Sequence, residues 1–519
     1  MEQILKLDSL FSPHMVLQRR KPVKIWGTCS GKEPVTVSFM GNTVTADIDE
    51  CRWEAELPPA EAAREQELIV TSGSMSICVP DVCVGEVWIA GGQSNMEFYL
   101  KYDQDFRQAK TTESNEDIRF YEVPKACYEG QTEDFDYSKV GFWRTFTPEN
   151  MDYFSAAGYY FAMKIWQTLN VPVGIIACNK GGSCTPTWMS EEALKVHGQV
   201  WIDDYEKEIA SVDYPAYQEA MRKDPRMNMG DPFADPVIEE MLFGIGPERQ
   251  REMMENMASV MSDQPMIHYD NRPACYYEYM LKKIVGTAVR GVIWYQGESE
   301  VFHPECYCEL FQDMVAFWRE LWKEQLPFYC VQLAPFQNWM ECYGTDFPVL
   351  RGIQEEAVKA MDGVYLVSSS DVGMRYDIHP KEKKPIGERL GLAALKYEYG
   401  QPVQADAPTA AAVYARGNDL IIEFSGDMET LEVRGDEVRE LQLFADGFDG
   451  KQEISFDSKD FKTEGTALIL RNANAGGHRV SSVVFAGKDY YKVNLYGSNG
   501  LPAKPFRCSV TMKETQSSN

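Results

Sequence analysis

Two hydrophobic periods divide this 519-residue chain. Residues 1–80 carry short segments in which apolar and polar positions alternate: Met15 to Gln18, Val23 to Gly27, Val35 to Phe39, Thr43 to Ile48 and Leu68 to Thr71, separated by Gly, Pro and Asn. A period of two with frequent turn residues predicts a small β-sandwich. From 81 to about 400 the pattern changes to short continuous apolar runs, Val87 to Ala90, Val173 to Cys178, Gly291 to Tyr295, Phe328 to Leu333 and Val364 to Ser368. Between them lie amphipathic stretches such as 154–169, 307–322 and 385–398. Strands alternating with helices predict an α/β unit, a doubly wound and mostly parallel sheet with helices on both faces. Residues 401–519 return to short alternating strands, Leu420 to Phe424, Leu441 to Phe444, Ala467 to Leu470 and Val480 to Phe485, and predict a second β-sandwich.

One stretch of the central region breaks the pattern. Residues 197–270 are acidic and rich in Met, with prolines at 215, 225, 232, 236 and 247. They read as an inserted helical lid or side module, and the Met-rich part, 252–261, as ordinary helix packing.

Composition narrows the function classes. A formal charge of −28 argues against nucleic acid or an anionic membrane surface as partner. No apolar run reaches transmembrane length. The first residues, Met1-Glu-Gln-Ile-Leu-Lys, lack a basic start followed by an apolar stretch, so the expected compartment is cytoplasmic. Thirteen scattered cysteines fit free thiols better than a disulfide framework, and Cys306 and Cys308 have no second pair at zinc spacing. No metal or cofactor is implied. Oligomeric state is not legible.

The candidate chemistry starts where the first central strand ends. Val87 to Ala90 runs into Gly91-Gly92-Gln93-Ser94-Asn95-Met96-Glu97, which places Ser94 at a strand's carboxyl end and at the start of a helix. Ligands of open α/β sheets bind at that edge. The stretch is not a Gly-x-Ser-x-Gly elbow, because Met96 occupies the second glycine position.

A serine nucleophile needs a base, and the chain offers six histidines. His14 and His478 fall in the flanking β-regions, while His197 and His268 flank the acidic insertion. His379 follows the strand at 364–368 in Asp371-Val-Gly-Met-Arg375-Tyr-Asp377-Ile-His379-Pro, with Asp377 or Asp371 close enough in sequence to orient it. His303, just past the strand at 291–295, is the alternative base. Two more strand ends supply oxyanion donors: Asn179-Lys-Gly181-Gly182-Ser183, and Gln296-Gly-Glu298-Ser299. Their plain alternatives are an ordinary Gly-Gly turn and a loop start.

Gly-Gln-Ser-Asn-Met at 92–96 resembles the nucleophile block of SGNH (GDSL-like) hydrolases in the form found in the sialate O-acetylesterase family. "GVIWYQGESE" at 291–300, the glycine pair followed by "TWMS", and "DIHPKEKKPIGERLGLAAL" at 377–395 are similar to its other blocks. "MVLQRRKPVKIWG" and "NLYGSNGLPAKPFR" resemble its terminal regions, so the likeness spans all three proposed domains. The resemblance implies an SGNH-type three-layer α/β/α centre, flavodoxin-like, over 81–400 between N-terminal (1–80) and C-terminal (401–519) β-sandwiches. It implies Ser94 as nucleophile, His379 as general base, and an oxyanion hole of Ser94 N–H, Gly182 (or Gly181) N–H and the Gln296 side chain. Most SGNH enzymes space acid and base as Asp-x-x-His, whereas this chain has Asp377-Ile-His379. Asp377, Asp371 and Glu298 therefore all stand as acid partners.

The implied substrate is an O-acetylated sugar, either acetylated sialate or a neutral xylo- or manno-oligosaccharide. Asn95, Trp188 and Arg375 are the expected substrate contacts, with Trp294 and Phe98 as further aromatic platforms and Lys381 as a second cation. The rival readings are a non-catalytic glycan-binding protein and a general short-chain esterase or thioesterase.

Overall fold

The computed structural model describes residues 4–512 except 32, 113, 132–134, 224, 262–271, 341, 448–449 and 476–478. His268 and His478 lie outside the described residues.

The expected mostly parallel sheet is present. Its strands run in the order Trp143–Phe146, Asn115–Glu122, Val173–Asn179, Met75–Gly92, Gly291–Tyr295, Phe328–Val331 and Val364–Val367. Every neighbouring pair is parallel except the first, which is antiparallel. Successive residues point to opposite faces of a strand, and here each face has its own core. Val87, Ile89, Val292 and Trp294 belong to one hydrophobic cluster. Trp88, Ala90, Ile293 and Tyr295 belong to another.

Helices Tyr307–Trp322 and Phe347–Lys359 cover the first face through Leu310, Met314, Trp318 and Leu350. Helices Ala156–Leu169 and Lys384–Tyr397 cover the second through Phe161, Ile165, Ile386 and Leu390. Gly387 and Gly391, one turn apart, bring these two helices close together. A Cβ at either would lie 2.5 Å from Tyr160 Cβ or 2.7 Å from Lys164 Cβ, inside van der Waals contact.

The central strand is longer than its apolar run. Over Met75–Asp81 most of its residues are partly or fully exposed, and it pairs antiparallel with Ala63–Ser72. Over Val82–Gly92 every residue is buried, and it pairs parallel with Val173–Asn179 and Gly291–Tyr295. The N-terminal strands thereby share one hydrogen-bonded sheet with the centre, and a separate four-stranded sheet (Ile4–Leu7, Val23–Ser30, Arg52–Leu57, Asp47–Asp49) packs into the same cluster. The single strand expected over Thr43 to Ile48 is two, Asn42–Thr45 and Asp47–Asp49, in different sheets. The break falls at Ala46, which is buried between more exposed neighbours and whose N–H bonds Val35 O.

At the other end, a five-stranded and a four-stranded sheet enclose a core of their own, including Leu420, Ile422, Leu443, Leu468, Val483 and Phe485. The acidic insertion is helical: Gln199–Ala210, Tyr214–Lys223, Pro236–Phe243 and Pro247–Met261. Asp235 caps the third of these by accepting from Val237 and Ile238 N–H, with Pro236 at the first helical position.

Candidate active site

Strand register brings the expected segments together. Gly92 pairs with Asn179 on one side and with Tyr295 on the other, so three strands end in one row. The residues that follow, Gln93-Ser94, Lys180-Gly181-Gly182 and Gln296-Gly297-Glu298, leave the sheet at the same edge. A cavity of about 650 Å³ opens there, lined by Gln93, Ser94, Gly181, Gly182, Glu298 and His379 among others. That size suits a small-molecule site.

Ser94 begins a one-turn helix, Ser94–Glu97. Its hydroxyl makes no hydrogen bond among the described residues, and neither do the N–H groups of Ser94 and Gly182. Gly182 has φ +79°, in the left-handed region, and a Cβ there would meet nothing within 4 Å, so its backbone faces open space.

His379 is buried between two aromatic rings, stacked with Phe98 at 6.2 Å and edge-on to Trp339 at 5.0 Å. Its Nδ1 lies 3.4 Å from Asp377 Oδ1, and the same oxygen accepts the His379 backbone N–H at 2.8 Å. Lys381 Nζ sits 2.8 Å from Asp377 Oδ2. Burial opposes the charge on Asp377, but His379 and Lys381 outweigh it and hold its carboxyl below the ordinary value. Burial pushes the His379 imidazole below its ordinary value, and Asp377 offsets this only in part. The ring is therefore neutral at pH 7, the form a general base requires.

Several expected roles change in the folded chain. The Gln296 side-chain amide does not face the cavity: Nε2 donates to Glu300 Oε1 at 2.6 Å and Oε1 accepts from Thr185 Oγ1 at 3.3 Å. Gly181 N–H is taken by Glu97 Oε2. Asp371 is committed to Arg389 through two bonds of 2.8 Å, leaving Asp377 as the aspartate beside His379. Glu298 lines the cavity but bonds Asn95, not His379. Asn95 is buried, with its carboxamide spent on Glu298, Ile378 O and Lys383. Trp188 is fully buried and packs on Tyr276 and Trp294, which is core as well. Arg375 is exposed, bonds Gln337 and stacks over Tyr490, outside the cavity lining. His303 bonds Asp204 at 3.0 Å and Glu305 at 3.2 Å and is not among the lining residues.

The polar wall that sequence reasoning missed is made by Glu97, Lys125 and Lys180. Lys125 Nζ lies 2.7 Å from Glu97 and 2.8 Å from Glu122. Burial works against the ammonium, but the two carboxylates outweigh it and raise its pKa. Lys125 and Lys180 likewise overcome burial to hold Glu97 below the ordinary carboxylate range. Lys180 makes no ion pair or hydrogen bond through its ammonium among the described residues. The sequence signals for this wall were Glu97, three residues past Ser94 and so on the same helix face, and Lys180, inside the glycine-bearing strand end.

The insertion supplies an apolar roof: Met227, Met229, Pro232, Ile238, Met241 and Leu242 line the cavity. It is tied to the histidine loop by Lys381 Nζ donating to Leu242 O at 2.6 Å and by Gln250 Nε2 donating to Tyr376 O at 2.9 Å. Among the described residues no His, Cys, Asp and Glu group has the arrangement of a metal site. A second cavity, about 540 Å³, lies between the edge strand Val364–Val367 and the C-terminal strands, with no histidine in its lining.

The chain is similar to several known proteins. A family model described as carbohydrate esterase, sialic acid-specific acetylesterase, matches residues 261–396. Sialate O-acetylesterase of Rattus norvegicus is 23% identical over 557 residues, covering 98% of this chain and 94% of its own. The Homo sapiens protein of that name is 24% identical over 432 residues, covering 76% of this chain and 71% of its own. The solved structure of a carbohydrate acetylesterase from Xanthomonas citri aligns with a TM-score of 0.74 at 26% identity, over 97% of this chain and 99% of that one.

Proposed function

This chain belongs to the sialate O-acetylesterase family and is a carboxylic ester hydrolase, and from that premise we propose that it removes O-acetyl groups from sugars through an acyl-enzyme on Ser94. The observation that carries the reading is that Ser94 and His379 line one cavity while His379 Nδ1 lies 3.4 Å from Asp377. His379 takes the Ser94 hydroxyl proton through Nε2, and Oγ attacks the acetyl carbonyl carbon. The oxyanion forms against Ser94 N–H and Gly182 N–H, backbone donors with no other partner among the described residues. Collapse expels the sugar oxygen, which receives the proton back from His379. Water, deprotonated by the same imidazole, then releases acetate and restores Ser94. Asp377 holds the ring and stabilises its charged form. Gln296 acts one layer back, with Glu300 and Thr185, in shaping the loop.

An SGNH-type three-layer centre between two β-sandwiches is the architecture we propose for this chemistry. For the sugar we favour an anionic one, sialate, because Lys180 stands in the cavity wall with no ion pair or hydrogen bond through its ammonium among the described residues, a local cation, unlike the paired Lys125, in a chain of charge −28. Acetate release from 9-O-acetylated sialate, acetylated xylo-oligosaccharide and nitrophenyl acetate, by the wild type and by Ser94→Ala, tests both parts. Release that vanishes with Ser94→Ala supports the serine mechanism, and the preferred donor identifies the sugar class. Release that survives the substitution refutes the mechanism. Glycan binding with no release from any donor points to the non-catalytic alternative.

A further inference from the structure

Behind the nucleophile lies a buried cation that the reaction above does not use. Lys383 is fully buried, and its Nζ donates to Asn95 Oδ1 at 2.5 Å. Asn95 Nδ2 in turn donates to Glu298 Oε1 at 2.5 Å and to Ile378 O at 3.0 Å. One carboxamide therefore joins three separate strand-end loops. Asn95 adjoins Ser94, Ile378 adjoins His379, and Glu298 follows the strand that ends at Tyr295. Lys383 closes the group from the start of the helix Lys384–Tyr397, where its own N–H bonds Asp103 Oδ2 at 3.0 Å. Its ammonium lies over the rings of Phe98, at 4.6 Å, and Tyr295, at 5.3 Å, and Phe98 is the ring stacked on His379.

Burying an ammonium costs several kcal/mol of desolvation, and an apolar side chain of the same volume avoids that cost. We infer that Lys383, Asn95 and Glu298 form a positioning strut that holds the His379 loop against the Ser94 turn, with Lys383 setting the geometry of the reacting pair without touching substrate. This rests on the serine esterase reading above.

The groups that face Lys383 are Lys381, Glu298, Asp103, Asp377 and His379. Burial, with Lys381 acting in the same direction, lowers its pKa to about 7. Its charge also opposes protonation of His379. Removing that charge raises the His379 pKa, so the acid limb of kcat/KM moves to higher pH. Removing the hydrogen bond frees the loop, and a misplacement of about 1 Å costs about a hundredfold in rate.

The experiment is the kcat, KM and pH profile of acetate release from nitrophenyl acetate by Lys383→Met, Asn95→Leu, their double variant and Ser94→Ala, with thermal unfolding of each. The expected result for Lys383→Met is a folded enzyme with a lowered Tm, because the buried Asn95 Oδ1 loses its donor, together with kcat reduced at least about tenfold with KM within about twofold and an acid limb displaced upward. The double variant is expected to lose no more than the worse single one, because both remove one strut. A Lys383→Met enzyme with wild-type kcat, a loss confined to KM, or losses that multiply in the double variant overturns the inference. If Asn95→Leu does not fold, the kcat and acid limb of Lys383→Met decide alone, and Lys383→Gln, neutral but polar, repeats the acid-limb test should Lys383→Met not fold. Activity that survives Ser94→Ala refutes the nucleophile assignment instead, which separates the two failures.

Discussion

The floor and the roof of the cavity are built on opposite principles. The floor consists of strand ends covered on both faces, so Gln93, Asn95, Gln296, Glu300, Asp377 and His379 are all buried. Most polar groups in that setting are paired in a network of hydrogen bonds, while His379 Nδ1 and one oxygen each of Glu298 and Glu300 have no hydrogen-bond partner among the described residues. The roof is carried by the insertion, whose helix Pro236–Phe243 has no buried residue and leaves Val237 and Phe243 about half exposed. It is tied to the rest of the domain by hydrogen bonds from Lys381, Gln250 and Gln131, by the ion pair of Glu239 with Lys101, and by Phe233 and Phe243 packing on Tyr99, Tyr102 and Tyr153. The difference separates tasks. The proposed proton transfer needs groups held in place, which the floor would provide, whereas an apolar, partly exposed roof bounds the space above them.

The largest effect expected from that contrast is on the floor. His379→Ala should lower kcat/KM for nitrophenyl acetate by about a thousandfold, while His303→Ala, whose ring is engaged with Asp204 and Glu305 away from the cavity, should leave it within about twofold. If His303→Ala is the inactive variant, the base has been misassigned.

Next comes Lys125→Met, which strands two carboxylates at the polar wall. Breaking such a pair on one side costs about 3–5 kcal/mol, readable as a lower urea midpoint with an unchanged slope. Because the folded state holds the Glu97 carboxyl below its ordinary value, its contribution is present above the unfolded carboxylate pKa and is lost as pH falls through the folded one. The variant's deficit should therefore shrink on acidification. A deficit independent of pH would mean that packing, not charge, sets it.

A smaller effect is expected at Lys180. Lys180→Met should reduce kcat/KM for acetylated sialate by about tenfold, the value of one hydrogen bond to a charged group, and leave acetylated xylo-oligosaccharide unaffected. Equal losses on both sugars would remove the anionic-sugar assignment. Smallest of all, Met241→Ala in the roof should change turnover of nitrophenyl acetate by less than about threefold. A larger change would place the roof in the chemistry and collapse the contrast.

Much of the floor was readable before folding, because its signals are local. Apolar runs at 87–90, 173–178 and 291–295 ending in glycine- or glutamine-led turns placed three strand ends, and parallel pairing brought them into the row Gly92, Asn179, Tyr295. Ser94 and His379 line the cavity as their positions after strands implied. Orientation was not readable. Gln296 lies where the pattern put it, yet its amide faces Glu300 because Glu300, fully buried beside Thr185, needs a donor. Asn95 points into the protein because Glu298 and Lys383, brought near only by folding, take its carboxamide, and Trp188 because its ring packs on Tyr276 and Trp294. Lys125 and Lys383 drew no attention in sequence, since an isolated lysine reads as solvated surface. Arg375 did draw attention, and the loop carries it outward onto Tyr490.

By itself, then, the sequence determined the periods of its elements, the order of strands and helices, and the residue types waiting at each strand end. Those are properties of neighbours along the chain, set by backbone geometry and the burial of one face. Only the tertiary structure decided which donors remain free for an oxyanion, which aspartate stands beside His379, and which lysines enter the site. Those choices depend on competition among buried polar groups from distant segments, each of which must find a partner once water is excluded.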